Sequence, residues 1–577
     1  MFLRADFVCL PIDPRTIRLP VICIRPPSAP LYDAATVARL GVKSAWPELL
    51  APGKRAALEA ALVPWLVERR WFRGKALARR TAHIADVLTV AEVANQVLLT
   101  LEVEFTEDEP QKYLIPLAFI GGDDLVQSER DVPQAIVAYV TGLDRPGALV
   151  DSAATGHGAS LLLSLFGRQG ARGEGRTQGA CQPSLKALLS AGAPPARATD
   201  FEQTNSTLIF GDQLVLKLYR QIEDGTSTEL QIGEFLTRSA SAALVPRTLG
   251  SVTYCSSDGD EAVIALAQQF VPNQGTAWQM ALDRAGAFFD GVLSQPDVEV
   301  PSQNRGSRVA HAEQGPDRAA WDHVGPYLGL ARTLGVRTAE VHIALGGRTD
   351  AQGFAPEPFG KMHQQSISHS TRALMERSFK ELRKKTKQLS AESALHVETL
   401  LAREQQLEKR IRQITTVKIE ANRIRCHGDL HLGQVLSTGD DFVIIDFEGE
   451  PARPLRERAY KRCALRDVTG MMRSFNYVTE SVLRGGRHRD SDSAQLGAWA
   501  RYWEEQVCAS YLGGYLETAK GQSFLPADPR HIDLLLDFFA IEKAIYEIEY
   551  EMNNRPDWLP IPIAGLQNVL DTEAQRD

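Results

Sequence analysis

An α+β chain in two unequal parts is predicted, with sheet in the N-terminal portion and mainly helix beyond it. Three observations predict it. Segments rich in β-branched and aromatic residues, bounded by turn-forming residues, are concentrated before residue 276. After about residue 320, apolar residues recur at helical spacing in long charged stretches. Within that helical half, the run Cys426–Leu436 followed by Val443–Glu448 has loop and strand character instead.

Residues 1–50 are broken by prolines at 11, 14, 20, 26, 27 and 30 and show no periodicity. They read as a flexible extension, or as a start site assigned too far upstream. Residues 51–165 form a small α+β unit. Leu58, Leu62 and Leu66 place a helix over 52–67, and strands follow at 84–90, 96–105 and 112–118. In residues 166–275, the stretches 167–180 and 191–198 read as loops around one short helix. A hairpin then runs from Thr207–Phe210 through Gly211-Asp212 to Leu214–Tyr219. Its second strand puts Leu214, Leu216 and Leu218 on one face and Val215, Lys217 and Tyr219 on the other. A helix over 229–239 and a strand over 263–271 complete this unit. Residues 276–577 hold a polar, mobile insertion at 295–318 and a helix over 327–345. An antiparallel helical pair is read over 371–416, with long helices at 458–480, 495–518 and 529–553.

Bulk properties exclude several classes. A hydrophobic share of 44% and a charged share of 24% describe an ordinary globular protein, and a net charge of −8 disfavours a nucleic-acid-binding surface. Seven cysteines lack paired metal spacing, which fits reduced thiols. No apolar run approaches the roughly 18 residues of a membrane span, and the N-terminus has no signal-peptide core. Cytoplasmic residence without nucleic-acid or membrane partners is the expectation.

The chemistry concentrates in Asp429, Gln434 and Asp446. Phosphoryl transfer from ATP needs one group to orient the attacking hydroxyl and oxygen ligands for Mg2+. A His-x-Asp-x-x-x-x-Asn loop followed by a strand ending in Asp-Phe-Gly supplies them in kinases. Here His427-Gly428-Asp429 and Gln434 keep that spacing with Gln for Asn, and Asp446-Phe447-Glu448 follows the apolar strand. Asp429 is the predicted catalytic base, and Gln434 and Asp446 the predicted metal ligands. His427 braces the loop; His431 either contacts the acceptor or braces it too. Glu448 and Glu450 are each open to a metal, substrate or structural role.

Lys217, mid-strand among apolar neighbours, is the predicted ATP-phosphate ligand. It needs a helix glutamate, for which Glu229 and Glu234 are both available. The preceding turn, Glu202 to Thr207, would cover the phosphates, giving Asn205, Ser206 and Thr207 as ATP-binding candidates. Gln269 and Val271 stand where an adenine-binding hinge belongs. No Gly-x-x-x-x-Gly-Lys-Ser/Thr occurs, which removes a P-loop mechanism.

Together these segments resemble the maltokinase family. The matching strings are Arg70-Trp71-Phe72 with Gly74-Lys75, Glu202–Asn205, Gln269–Gly275, Gly335–Glu340, Cys426–Leu436, Asp446–Pro451, Leu465–Phe475, Lys543–Glu547, Tyr550-Glu551 and Asn554–Trp558. They span roughly residues 55 to 570. The resemblance implies a bilobal, protein-kinase-like α+β fold of the aminoglycoside-phosphotransferase type. Residues 51–165 would be an N-terminal cap subdomain, 166–275 the nucleotide-binding lobe and 276–577 a helical lobe. It implies ATP- and Mg2+-dependent phosphorylation of maltose to maltose 1-phosphate for α-glucan synthesis, with trehalose synthase as a candidate partner. Acceptor contacts carry over to His431, Lys543, Glu547, Tyr550 and Arg555. The last four also suit a helix-packing network. One departure is Gln231, where similar sequences have Glu. The competing expectations are a related sugar or amino-sugar kinase, such as one for glucosamine, and a non-catalytic kinase-like partner of trehalose synthase.

Overall fold

The structure is a computed structural model. It describes residues 36–573 except for 91–92, 168–169, 200–204, 240–241, 296, 302–305, 348–352, 452 and 486–492.

The first layer is a mixed sheet. Its strands are β1 (Ala38–Gly41), β2 (Arg79–Leu88), β3 (Gln96–Phe105), β4 (Gln111–Gly121), β5 (Ile136–Thr141) and β6 (Gly147–Asp151), ordered β1-β5-β6-β4-β3-β2. The helix Arg55–Val67 buries Leu58, Leu62 and Leu66 against one face. Residues 36–50 correct the expected extension. β1 pairs in parallel with β5, and Trp46, Leu49 and Leu50 are buried in the same core. A four-residue strand and a single 3-10 turn are too short to show a period, so only the pairing partner reveals them. The rest of the expected extension lies outside the described residues.

The second sheet runs β7-β12-β13-β10-β9-β8. It consists of β7 (Arg176–Cys181), β8 (Ala196–Ala198), β9 (Asn205–Phe210), β10 (Leu214–Tyr219), β12 (Thr248–Cys255) and β13 (Glu261–Gln269). β7 and β8 replace two segments expected to be loops. Both are edge strands, and neither the Arg-Thr-Gln-Gly-Ala-Cys of β7 nor the Ala-Arg-Ala of β8 carries an apolar alternation. Gly179 of β7 is required by proximity, since a Cβ there would lie 2.6 Å from the Leu165 carbonyl oxygen. In β10, Leu214, Leu216 and Leu218 are buried in the core and Lys217 faces the other way, as the alternation predicts.

The two sheets are tied together. β11 (Gln221–Ile222) leaves the second sheet and pairs with β4 of the first. The fully buried Arg220 donates to Asp151 at 2.7 Å and to the Ser206 hydroxyl at 2.7 Å, and stacks on Trp71. The unit of the first sheet also reaches the segment after Asp446, where Arg73 donates to the Pro451 carbonyl at 2.9 Å.

The remaining residues build a helical lobe around one large apolar core. Its long helices are Ala277–Leu293, Tyr327–Gly346, Lys361–Lys385, Leu465–Arg484, Ser493–Thr518 and Pro529–Asn554. Three expectations change here. The 371–416 pair is three helices, Lys361–Lys385, Ala391–Leu401 and Glu404–Gln413. The helix expected from 458 starts at Leu465, after a separate turn at Leu455–Arg458. Within the expected mobile insertion, Arg308–Gln314 is a docked helix that buries Val309 and Ala312. Asp533 accepts its first two amides at 3.0 and 3.2 Å. Its polar composition reflects ion pairing to the lobe, such as Arg308 with Asp537.

Candidate active site

The Cys426–Leu436 loop is held from below by Asp467, in the first turn of the helix Leu465–Arg484. This buried carboxylate accepts the amides of His427 at 2.7 Å and Gly428 at 3.0 Å, and faces His342 Nε2 at 3.1 Å. Burial opposes its ionisation, but the His342 contact and these bonds outweigh that and hold its pKa below the ordinary range. His427 has the bracing role expected of it: its Nε2 lies 2.8 Å from the Ile445 carbonyl and its ring packs on Phe447. Gly428 has φ +87°, and a Cβ there would meet Gly449 at 3.1 Å, so the two loops approach only through glycine. Sequence reasoning assigned no role to Asp467, because its spacing from the loop carries no signal of contact.

Asp446 follows the short strand Phe442–Ile444 and sits in the left-handed region at φ +69°. Asp tolerates that region better than most residues. The turn directs its carboxylate into a cluster in which Gln434 hydrogen-bonds to it and Lys217 pairs with Asp446, Glu448 and Glu229. Glu229 settles the open helix partner. Its Oε2 lies 2.8 Å from Lys217 Nζ and 2.6 Å from the Tyr219 hydroxyl, from the first turn of the helix Thr228–Thr237. Glu234 points outward to Arg238, and Gln231 accepts from Arg425 at 3.3 Å.

Three carboxylates thus surround one lysine. Burial works against the charge on Lys217, but Asp446, Glu229 and Glu448 outweigh it and raise its pKa. Asp446 stays below its usual range because Lys217 overcomes its burial. Glu448 does not: burial, with Asp446 and Glu229 adding to it, lifts its carboxyl to about 7 despite Lys217. Asn205 donates to that same carboxylate. The other predicted phosphate-turn residues divide. Ser206 gives its hydroxyl oxygen to Arg220, and Thr207 pairs within the hairpin opposite Lys217. Residues 202–204 lie outside the described residues. At the expected hinge, the Gln269 amide donates to Arg247 and the Val271 carbonyl accepts from the Asn273 side chain at 2.7 Å.

Beside this cluster lies Asp429, to which Lys543 donates at 3.1 Å. Burial would neutralise the carboxyl, but Lys543 and then His431 hold its pKa down. Burial lowers the His431 pKa, and its Nδ1 accepts the Gly433 amide at 3.1 Å. The other expected acceptor residues continue up the helix Pro529–Asn554. Buried Glu547 takes a fork from Arg473 at 2.6 and 3.2 Å. Arg555 clamps buried Glu551 at 2.9 and 2.7 Å while stacking on Trp558, and Tyr550 is half exposed beside it. Glu450 is bound by Arg453 at 2.6 Å and Arg466 at 3.2 Å.

No family model matches the chain. Two curated relatives are glucosamine kinases. The one from Mycolicibacterium smegmatis is 25% identical over 398 residues, covering 67% of this chain and 83% of the relative. The one from Streptacidiphilus jiangxiensis is 24% identical over 429 residues, covering 71% and 81%. Among solved structures, a glucosamine kinase in complex with glucosamine, ADP and inorganic phosphate superposes with TM-score 0.56 at 18% identity, over 87% of this chain and 96% of that one. A second crystal form of a glucosamine kinase gives 0.57 at 19%, over 91% and 100%. The chain has a kinase-like α+β fold. Its oxygen donors and its lysine form a set that fits Mg2+ and ATP phosphates. Kinase is therefore the level at which the relatives and the maltokinase resemblance agree. Among the described residues no helix is long and apolar enough to cross a membrane.

Proposed function

We propose that this protein is an ATP-dependent sugar kinase. The observation that carries the reading is the convergence of Lys217, Gln434 and Asp446 beside Asp429. Asp429, kept ionised by Lys543, accepts and orients the proton of the acceptor hydroxyl. Lys217, braced by Glu229, steadies the ATP phosphates. Gln434 and Asp446 would hold Mg2+, which when bound neutralises charge on the transferring phosphoryl group.

Glucosamine is the leading acceptor, because both curated relatives are glucosamine kinases. Maltose, phosphorylated at its anomeric hydroxyl, is the second reading, and one observation favours it. The Lys543 ammonium lies beside the base, where a protonated amino sugar would meet like charge while a neutral sugar would not. A non-catalytic partner of trehalose synthase would have no need of the complete donor set. ADP release from ATP and Mg2+ is to be measured with glucosamine, maltose, glucose and trehalose, and the product identified by NMR. Turnover on one sugar assigns the acceptor, and no ADP release with any of them overturns the kinase reading.

A further inference from the structure

A cavity of about 360 Å3 opens on the helical lobe, enclosed by the helices Arg308–Gln314, Leu465–Arg484, Ser493–Thr518, Pro529–Asn554 and Pro560–Glu573. None of Asp429, Gln434, Asp446, Lys217 or Lys543 lines it. Its volume falls at the small end of ligand sites, suited to one or two sugar rings.

The walls are polar in a particular way. Arg473, nine-tenths buried, spends Nε and Nη2 on Glu547 while its Nη1 lies against Gly565, where a Cβ would come within 2.4 Å of it. Only glycine at 565 lets the guanidinium occupy that place. Arg501 stands exposed at the rim and has no ion pair among the described residues, and Arg308, paired with Asp537, adds a third guanidinium. Glu504, Glu505, Asn568 and Asp571, the last paired with Arg403, complete the polar lining. Burial raises the Glu504 pKa, and its carboxylate accepts from the Asn476 side chain at 2.8 Å. Guanidinium forks match phosphate geometry, and carboxyl and amide groups match sugar hydroxyls.

Arg473 also connects this cavity to the reacting centre. Its partner Glu547 lies one helical turn from Lys543, which donates to Asp429. A ligand that draws the Arg473 guanidinium toward itself weakens its fork on Glu547. Glu547 then competes with Asp429 for Lys543.

We propose that this cavity is a second ligand site, for a phosphorylated sugar, coupled to the acceptor site through Arg473 and Glu547. This goes beyond the assignment of the acceptor and does not depend on which sugar is phosphorylated. The test uses the full chain with glucose 6-phosphate as the probe, in calorimetry without ATP. Binding should persist at saturating acceptor and weaken about tenfold in Arg501→Glu, the loss of one charge-assisted contact. Asn568→Trp, at the exposed rim, should block it by bulk. Neither residue belongs to the reacting centre, so turnover without probe should be unchanged in both. In the unmodified protein the probe should shift the acceptor KM at least about fivefold, and both variants should lose that shift. No binding, binding displaced by the acceptor, binding indifferent to both variants, or an unchanged KM would each overturn the proposal.

Discussion

The nucleotide side and the acceptor side of the cleft are both rich in carboxylates, yet they balance charge differently. Around Lys217, three carboxylates share one ammonium, and one of them, Glu448, is pushed toward protonation. At and beside the helix Pro529–Asn554, three acids are each paired with one cation: Asp429 with Lys543, Glu547 with Arg473, Glu551 with Arg555. Buried charges must be paired or must gather a metal. The first cluster is the one that a divalent cation would complete, as the proposed function requires. The second is already neutralised, and presents a polar wall to an acceptor without asking for charge from it.

The largest effect that could break this contrast is at the base. Asp429→Asn is expected to lower kcat by about 10²- to 10⁴-fold while ATP affinity, measured by calorimetry, stays close to that of the unmodified protein. A normal rate would remove Asp429 from the reaction. Next comes the metal side. Chelation of Mg2+ should abolish turnover, and Asp446→Asn should raise the Mg2+ concentration for half-maximal rate by at least about tenfold. An unchanged Mg2+ dependence would mean that the carboxylate-rich cluster holds no metal.

The acceptor side is sharpened by Lys543→Met. Without that cation the Asp429 pKa rises, so the acid limb of the kcat/KM profile should move to higher pH. The ratio of glucosamine to maltose turnover should rise as well, and an unchanged ratio would detach Lys543 from acceptor choice.

A smaller effect concerns stability. The Glu448 pKa in the fold, about 7, exceeds its ordinary value of 4.5. Its contribution is thus fully present below the ordinary value and is lost as pH rises through about 7. Tm of the ligand-free protein should fall between about pH 5 and pH 8, by on the order of 1 kcal/mol of stability. Glu448→Gln should flatten that slope. The smallest effect separates two helix glutamates: Glu234→Gln, at an exposed pair with Arg238, should change kcat less than about twofold. Glu229→Gln should reduce it clearly.

Local signals were legible where a residue's role depends on near neighbours. The alternation of β10 placed Lys217 opposite Leu214, Leu216 and Leu218, and the structure keeps that parity. The spacing from Asp429 to Gln434 and the strand before Asp446 put the candidate phosphoryl-transfer residues in order along the chain. What stayed illegible was short or paired at a distance. β1 and β7 lacked a period because one is four residues long and the other lies at an edge. The docked helix Arg308–Gln314 read as an insertion because its first amides and the Arg308 side chain bind acids far along the chain, Asp533 and Asp537.

The sequence by itself determined a kinase-type loop, its two metal-ligand candidates and a lysine on the correct face of a strand. These follow from covalent spacing and the two-residue strand period. Only the tertiary structure decided that Glu229 rather than Glu234 meets Lys217, that Asp467 holds the amides of His427 and Gly428, and that Lys543 pairs with Asp429. Each is a contact between segments that are not neighbours in the chain. Such contacts are set by how helices and sheets bury their apolar faces, and charge pairing then follows from whatever that packing brings together.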